Sequence, residues 1–425
     1  MLDHESAAKE AGAEGQREPT ASQLPGHVRT KATGSPFEVL AVFTKLGLTS
    51  FGGPIAHLGY MQRELVDRRE WVDHETYADL VALCNFLPGP ASSQLGMSLG
   101  IERAGLLGGL AAWIGFTLPS ALLLTLFALG VGTFAGQGGE GWIHGLEVVA
   151  VPIVALAIWG MARRLCPDRL RASIAVAAAL AAMSIQSAVA QVGIIAVSGL
   201  VGWALYRKEP RASVHDIPAP LSAWHGVVAW TAFFALLFGL PILGAALKHP
   251  GVDVFERFYR VGALVFGGGH VVLPLLEHEV VDPGWTTGDR FLAGYGAAQA
   301  IPGPLFSFAA YLGFILDTTP TRWAGAAMAL VAIFLPSYLL VVGALPFWTR
   351  LRSSTICQAA LEGTNAGVVG LLLAAFYDPV WKVAILSRAD FGLALAAFLA
   401  LELWKLPPWL VVILTAVASA LIGQH

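Results

Sequence analysis

Charge is what this chain has least of. Only 13% of its 425 residues are Asp, Glu, Lys or Arg, against about 25% in a typical soluble chain, so an ordinary water-soluble domain is excluded. Cysteine is almost absent. Cys84, Cys166 and Cys357 lie in or beside apolar segments, with no CxxC and no metal-ligand spacing, so they read as packing residues and not as a disulfide framework or metal centre. No GxxxxGK followed by Ser or Thr, no HExxH and no GxSxG occurs, which argues against an ATP-driven pump and the common membrane hydrolases. Residues 1–35 lack the apolar core of a cleavable signal peptide. Polar and mixed in charge, they read as a disordered cytoplasmic tail. The net charge of −3 separates no classes, because the charges sit in tails and loops.

What the chain has instead is apolar length. Hydrophobic residues make up 56% of it, and runs such as Ala104–Gly132 and Ser222–Leu247 carry no Asp, Glu, Lys or Arg. Each exceeds the roughly 20 residues that span a bilayer as a helix. The fold class is therefore an all-α polytopic membrane protein. About thirteen apolar segments can be counted between residues 37 and 423, and the polar stretch Tyr206–Pro220 divides them.

The two sides of that divide repeat each other. "FTKLGLTSFGG" (Phe43–Gly53) matches "FYRVGALVFGG" (Phe258–Gly268) at a spacing of 215 residues, pairing Lys45 with Arg260 and Gly52-Gly53 with Gly267-Gly268. Glu64 pairs with Glu279, Trp71 with Trp285, and Pro88-Gly89-Pro90 with Pro302-Gly303-Pro304. "TLPS" (Thr117–Ser120) echoes "FLPS" (Phe334–Ser337), and "GLEVVAVPIV" (Gly145–Val154) echoes "ALEGTNAGVV" (Ala360–Val369), which pairs Glu147 with Glu362. The domains expected are the tail (1–35), a first repeat (36–206), a linker with a connecting transmembrane helix (207–253) and a second repeat (254–425).

An odd number of crossings between equivalent elements inverts the second repeat, a common architecture of secondary transporters. With the amino terminus inside, Arg163, Arg164, Arg169 and Arg171 fall inside and the arginine-free loops near 135–143 and 188–190 fall outside. Arg63, Arg68 and Arg69 break this pattern unless the first two segments (37–99) are re-entrant hairpins, tolerated where they line a protein-enclosed cavity. The crossing count is then nearer nine than thirteen, and the inversion survives.

Several residues carry candidate chemistry. Lys45 and Arg260 each place a cation in a glycine-rich apolar segment, at a cost of about 2.5–3.5 kcal/mol on insertion scales. Brought together by inverted symmetry they suit a dianion; the alternative is that each snorkels or pairs with a carboxylate such as Glu38 or Glu256. Gly52, Gly53, Gly267 and Gly268 allow close backbone approach. Each Pro-Gly-Pro breaks its helix, and the restart offers N–H groups to an anion. Ser92 and Ser93 follow the first break and Ser307 the second, while Asn85 and Gln299 precede them. A kink needed only for packing is the alternative. Glu64, Glu279, Glu147, Glu362, His57 and His270 are candidate proton or coupling groups; for Glu64 and Glu279 an interfacial loop charge is the alternative.

These motifs resemble the CHR family of chromate ion transporters, in its long-chain, two-domain form. The resemblance rests on Phe43–Pro54, the loop with Trp71, "NFLPGPASSQLGMSLG" (Asn85–Gly100) and the second copy from Phe258 through "QAIPGP", and covers most of residues 36–425. It implies efflux of chromate across the inner membrane by proton-motive-force-driven antiport, giving chromate resistance, with sulfate as competitor or alternative substrate. No cofactor, metal, nucleic-acid partner or enzymatic activity is expected; a homo-oligomer stays open, as does a passive anion channel. The second copy departs from the first at Gly269 for Pro54 and Leu305-Phe306 for Ala91-Ser92, so its polar lining is expected to be poorer.

Overall fold

The structure, a computed structural model, describes residues 34–51, 53–134, 140–185, 188–207, 221–265, 272–348 and 354–422. The polar tail (1–33), most of the central linker, and Gly52, Gly267, Gly268 and His270 lie outside the described residues. Among the described residues every regular element is helical.

The first half begins with α1 (Pro36–Thr49). The Ser35 hydroxyl accepts from the Phe37 amide and Pro36 occupies the first turn, where its missing N–H is harmless. α2 (Gly53–Met61) continues into a π-helical turn, Gln62–Arg68. α3 (His74–Phe86), capped by Asp73, stops just before Pro88-Gly89-Pro90. α4 (Ala91–Phe134) restarts after that break and folds back at Ala104 and Gly105, where φ of Gly105 is +66°.

The ends of these segments show how they lie. The Gly34 N–H donates to the Arg103 carbonyl at 3.2 Å, and the Arg103 guanidinium pairs with Glu38 at 3.2 Å and stands 5.3 Å over the Trp71 ring. Residues 34–38, 71 and 103 thus meet at one place. Ser50 lies a 14-residue helix away from it, about 20 Å at 1.5 Å per residue. The chain enters along α1, turns, and returns along α2. It enters again along α3, turns at Pro-Gly-Pro, and returns along the first part of α4. This is the course expected of two re-entrant hairpins, with the part of α4 after the Gly105 break left to cross.

Four helices follow: α5 (Glu140–Leu165), α6 (Arg169–Ser184), α7 (Ala188–Tyr206) and α8 (Ala223–Leu247). The second half repeats the hairpins with α9 (Pro250–Leu264), α10 (Val272–Val280), α11 (Gly288–Ala300), the second Pro-Gly-Pro, α12 (Phe308–Ile315) and the crossing helix α13 (Arg322–Ala344). Its hairpin ends also converge: the Asp317 N–H donates to the Trp285 carbonyl at 2.9 Å, and Arg257 stands 4.7 Å over the Trp285 ring. The chain ends with α14 (Thr355–Ala375), which runs on through a π segment (Phe376–Trp381), then α15 (Arg388–Glu402) and α16 (Pro408–Ile422).

Five helices, namely α4, α5, α8, α13 and α14 with its extension, are long and apolar enough to cross a membrane; α6, α7, α15 and α16 run beside them. Read as crossings as well, those four bring the count among the described residues to nine. Five of them, α4 to α8, separate the two hairpin pairs, so the second pair enters from the opposite face. The first half's arginines now agree with one another. Arg63, Arg68, Arg69 and Arg103 at the hairpin mouths share a face with Arg163 and Arg164 at the end of α5 and Arg169 and Arg171 at the start of α6.

The scaffold helices pack across the repeat. α5 lies against α15 and α16, and α14 lies against α6 and α7. Ionic contacts mark both seams. Arg171 on α6 binds Glu362 on α14 at 2.9 Å. His144 on α5 bridges its own Glu147 (3.1 Å) and Asp390 on α15 (3.0 Å). Arg171→Ala leaves the Glu362 carboxylate without this partner. It is expected to cost about 1–3 kcal/mol, as for a buried group losing its hydrogen bond, read as a lower melting temperature in detergent. Adding Glu362→Ala should recover part of the loss.

Candidate functional site

The hairpin tips of each half end on the Pro-Gly-Pro of the other. The Gly89 N–H of the first break donates to the Val265 carbonyl at the end of α9, at 2.6 Å; the Gly303 N–H of the second donates to the Ser50 carbonyl at the end of α1, at 3.0 Å. Ser50 and Val265 are repeat equivalents, as are Gly89 and Gly303, so one contact is made twice with the halves exchanged. Gly89 and Gly303 have φ of +120° and +104°, a region disfavoured for residues with a side chain. Each also faces a serine of the other half's LPS motif. A Cβ on Gly89 would stand 2.5 Å from Ser337 Oγ, and one on Gly303 2.8 Å from Ser120 Oγ.

Buried polar groups surround these contacts. His57 Nε2 lies 3.2 Å from the Ser50 carbonyl, which only accepts, so Nε2 carries the proton. His57 Nδ1 then accepts from Ser92 Oγ at 3.3 Å. Gln94 Nε2 donates to the Pro88 carbonyl at 2.6 Å. Ser50 Oγ, Ser93 Oγ, Gln94 Oε1, Thr117 Oγ1, Ser337 Oγ and Gln299 Nε2 make no hydrogen bond to the described residues. A buried polar atom costs about 1–3 kcal/mol when left unbonded, so this row of hydroxyls and amides suits water or an oxyanion.

A cavity of about 460 Å³ adjoins the first break. Pro54, Asn85 and Gly89 line it, together with Ala91 at the start of α4, Arg164 on α5 and Gln358 and Asn365 on α14. It holds three things an oxyanion needs: a helix N-terminus, a guanidinium, and amide donors. The second break is poorer. Phe306, at the place of Ser92, is fully buried against Phe334, and Ser307 Oγ donates back to the Pro304 carbonyl at 2.6 Å.

The two cations stay with their own hairpins. Arg260 binds Glu279 (2.8 Å) and Glu256 (3.1 Å), and Arg257 binds Glu279 as well (3.1 Å). Lys45 is exposed on α1, and its charge reaches Glu64. Thus the Lys45–Glu64 and Arg260–Glu279 pairs are repeat equivalents, and no contact joins Lys45 to Arg260 among the described residues. Burial favours the neutral form of Glu64, but hydrogen bonds from Arg69 and Arg68 and the Lys45 charge outweigh it and hold the carboxyl below its ordinary value.

Arg164, Gln358 and Asn365 were not singled out by the sequence. A signal exists for Asn365: it stands in the second copy where the first has Ala150. His144 and Asp390 likewise emerge only from packing.

Comparison with known proteins bears on this geometry. A family described as chromate transporter matches residues 37–203 and again 252–421, one match per half. The chain belongs to the chromate transporter family. It is 31% identical over 353 residues to the chromate transport protein of Pseudomonas aeruginosa, covering 80% of each chain. It is 30% identical over 399 residues to the probable chromate transport protein of Synechococcus elongatus, covering 89% of this chain and 93% of that one. An uncharacterized transporter of Bacillus subtilis, YwrB, is 33% identical over 175 residues, which is 39% of this chain but 85% of the relative. No solved structure matches the chain.

Proposed function

We propose that this protein is a secondary transporter of the inner membrane that exports chromate from the cytoplasm in exchange for protons and so confers resistance. Sulfate, a tetrahedral dianion of the same shape, is the competing substrate. The observation that carries this reading is the cavity beside the first Pro-Gly-Pro. It places Arg164 and amide side chains around the start of α4, on the face where the first half's arginines gather. An arginine-rich face suits the cytoplasm and draws anions to the cavity mouth. The relatives' names support chromate as the anion, and the guanidinium and amides of the cavity support a negatively charged ligand.

Proton coupling needs a carboxylate able to change state. Glu64, Glu279 and Glu362 are each held in an ion pair with arginine. Glu147 faces His144, whose ring is shared with Asp390, so a proton can be held at any of three sites. This cluster sits at the opposite end of α5 from Arg164, where protons would enter from outside. Chromate uptake by inverted vesicles should rise with an imposed proton gradient. In Glu147→Gln that dependence should vanish while sulfate still competes. Wild-type flux that follows only the anion gradient would identify a passive pore and overturn the antiport reading.

A further inference from the structure

A second cavity, of about 500 Å³, lies at the mouth of the second-half hairpins, on the face opposite Arg164. Its lining is of opposite character. Glu277, His278 and Asp282 come from the end of α10 and the turn after it, Asp378 and Lys382 from the bend after α14, and Gln191 from α7. Lys382 is ion-paired with Asp378, so those two charges cancel. Glu277 and Asp282 remain, with an imidazole between them. One ligand atom from each of Glu277, His278 and Asp282 falls within 4.8 Å of the others. Gln191 gives an independent indication. Gln191 is 96% buried (4% exposed) and lines the same cavity, and its amide oxygen, shielded from solvent, has no hydrogen-bond donor among the described residues.

We propose that Glu277, His278, Asp282 and the Gln191 amide oxygen form a binding site for a divalent cation of the Mn²⁺ or Zn²⁺ class. Two carboxylates neutralise a charge of +2. One imidazole with three oxygen ligands suits a borderline metal and not Ca²⁺ or Mg²⁺, which take oxygen alone. A turn of the Gln191 side chain toward the cavity would give its amide oxygen the partner it lacks. His278 and Asp282 now touch each other, and a metal would replace that contact by two bonds to one ion. The ion would tie α10, in the re-entrant hairpin, to α7 in the scaffold. No sequence motif announces the site, because Gln191 lies 86 residues before Glu277 (277 − 191).

The test is binding by the full-length protein purified in detergent and stripped with chelator, with no transport readout, so it stands apart from the chromate reading. Mn²⁺ binding followed by electron paramagnetic resonance, and Zn²⁺ binding by calorimetry, should show one saturable site per chain. Glu277→Gln and Asp282→Asn should each weaken it at least roughly tenfold, since even outer-shell changes at metal sites cost about 10–100-fold. Gln191→Ala should weaken it less. Mn²⁺ should raise the melting temperature of wild type by mass action and not that of Glu277→Gln. Should a carboxylate variant fail to fold, His278→Ala carries the same prediction. A wild-type protein that binds neither ion, or binds both as well after these substitutions, overturns the proposal.

Discussion

Arg164→Ala is expected to lower chromate flux into inverted vesicles by about 10–100-fold, with normal insertion and folding. The magnitude follows from the loss of one charge-assisted hydrogen bond, about 1.5–3 kcal/mol, at 1.4 kcal/mol per factor of ten. The loss should appear as weaker apparent affinity, because the guanidinium would hold the ground-state anion at the mouth of its path. Arg164→Lys should retain part of the activity, since an ammonium keeps the charge but not the planar fork. The neighbouring Arg163 is a control. It lies outside the first cavity, and its removal should leave flux nearly unchanged. Arg260→Ala should behave differently again. It leaves Glu279 with one arginine instead of two, so stability should fall before substrate affinity does. If Arg164→Ala transports like wild type while Lys45→Ala does not, the binding site lies along α1 and not in the cavity.

Gly303→Ala is expected to abolish transport, and Gly89→Ala to come close to it. An alanine held at these φ values costs about 1–3 kcal/mol. At Gly303 the added Cβ also meets Ser120 Oγ at 2.8 Å and Ser120 Cβ at 3.1 Å, so the break must withdraw from α4. That withdrawal would pull the Gly303 N–H from the Ser50 carbonyl and disturb the carbonyl on which His57 rests. At Gly89 the collisions are with the ends of Ser337 and Gln94, which can swing aside, so some function should survive. Flux and melting temperature of the two variants decide it. A Gly303→Ala protein that is stable and transports normally would mean that the exchanged contact plays no part in moving the anion.

Much of this was legible in the sequence, and for identifiable reasons. The pairing of Pro88-Gly89-Pro90 with Pro302-Gly303-Pro304 marks two equivalent breaks, and the structure puts them at two equivalent tips. Arg63, Arg68 and Arg69, on the wrong side for a simple helix count, pointed to a hairpin course for the first two segments, and the chain does turn back there. The poorer polar lining at Phe306 was visible as a substitution for Ser92. The partners of the charges were visible only in part: Glu256, four residues before Arg260, does bind it, whereas Glu38 binds Arg103 and not Lys45. The second carboxylate on Arg260, Glu279, lies 19 residues away across a hairpin, a distance no helical periodicity reveals. Arg164 read as a loop charge, because nothing local shows that α5 ends beside the first break. Long-range juxtaposition is set by how helices pack, and a single sequence records only the faces that pack.

α8 has a consequence of its own. Only 17% of its apolar stretch is buried, and it holds the rest of the protein through few bonds, among them Trp230 Nε1 to the Gly343 carbonyl and the Tyr259 hydroxyl to the Phe233 carbonyl. Yet the two repeats can exchange tips and scaffold helices only if they face opposite ways, and one extra traverse is what turns the second around. α8 thus works as a parity element: nearly any apolar text will serve in it, but its removal would insert the second repeat the same way up as the first, and the two could no longer exchange tips.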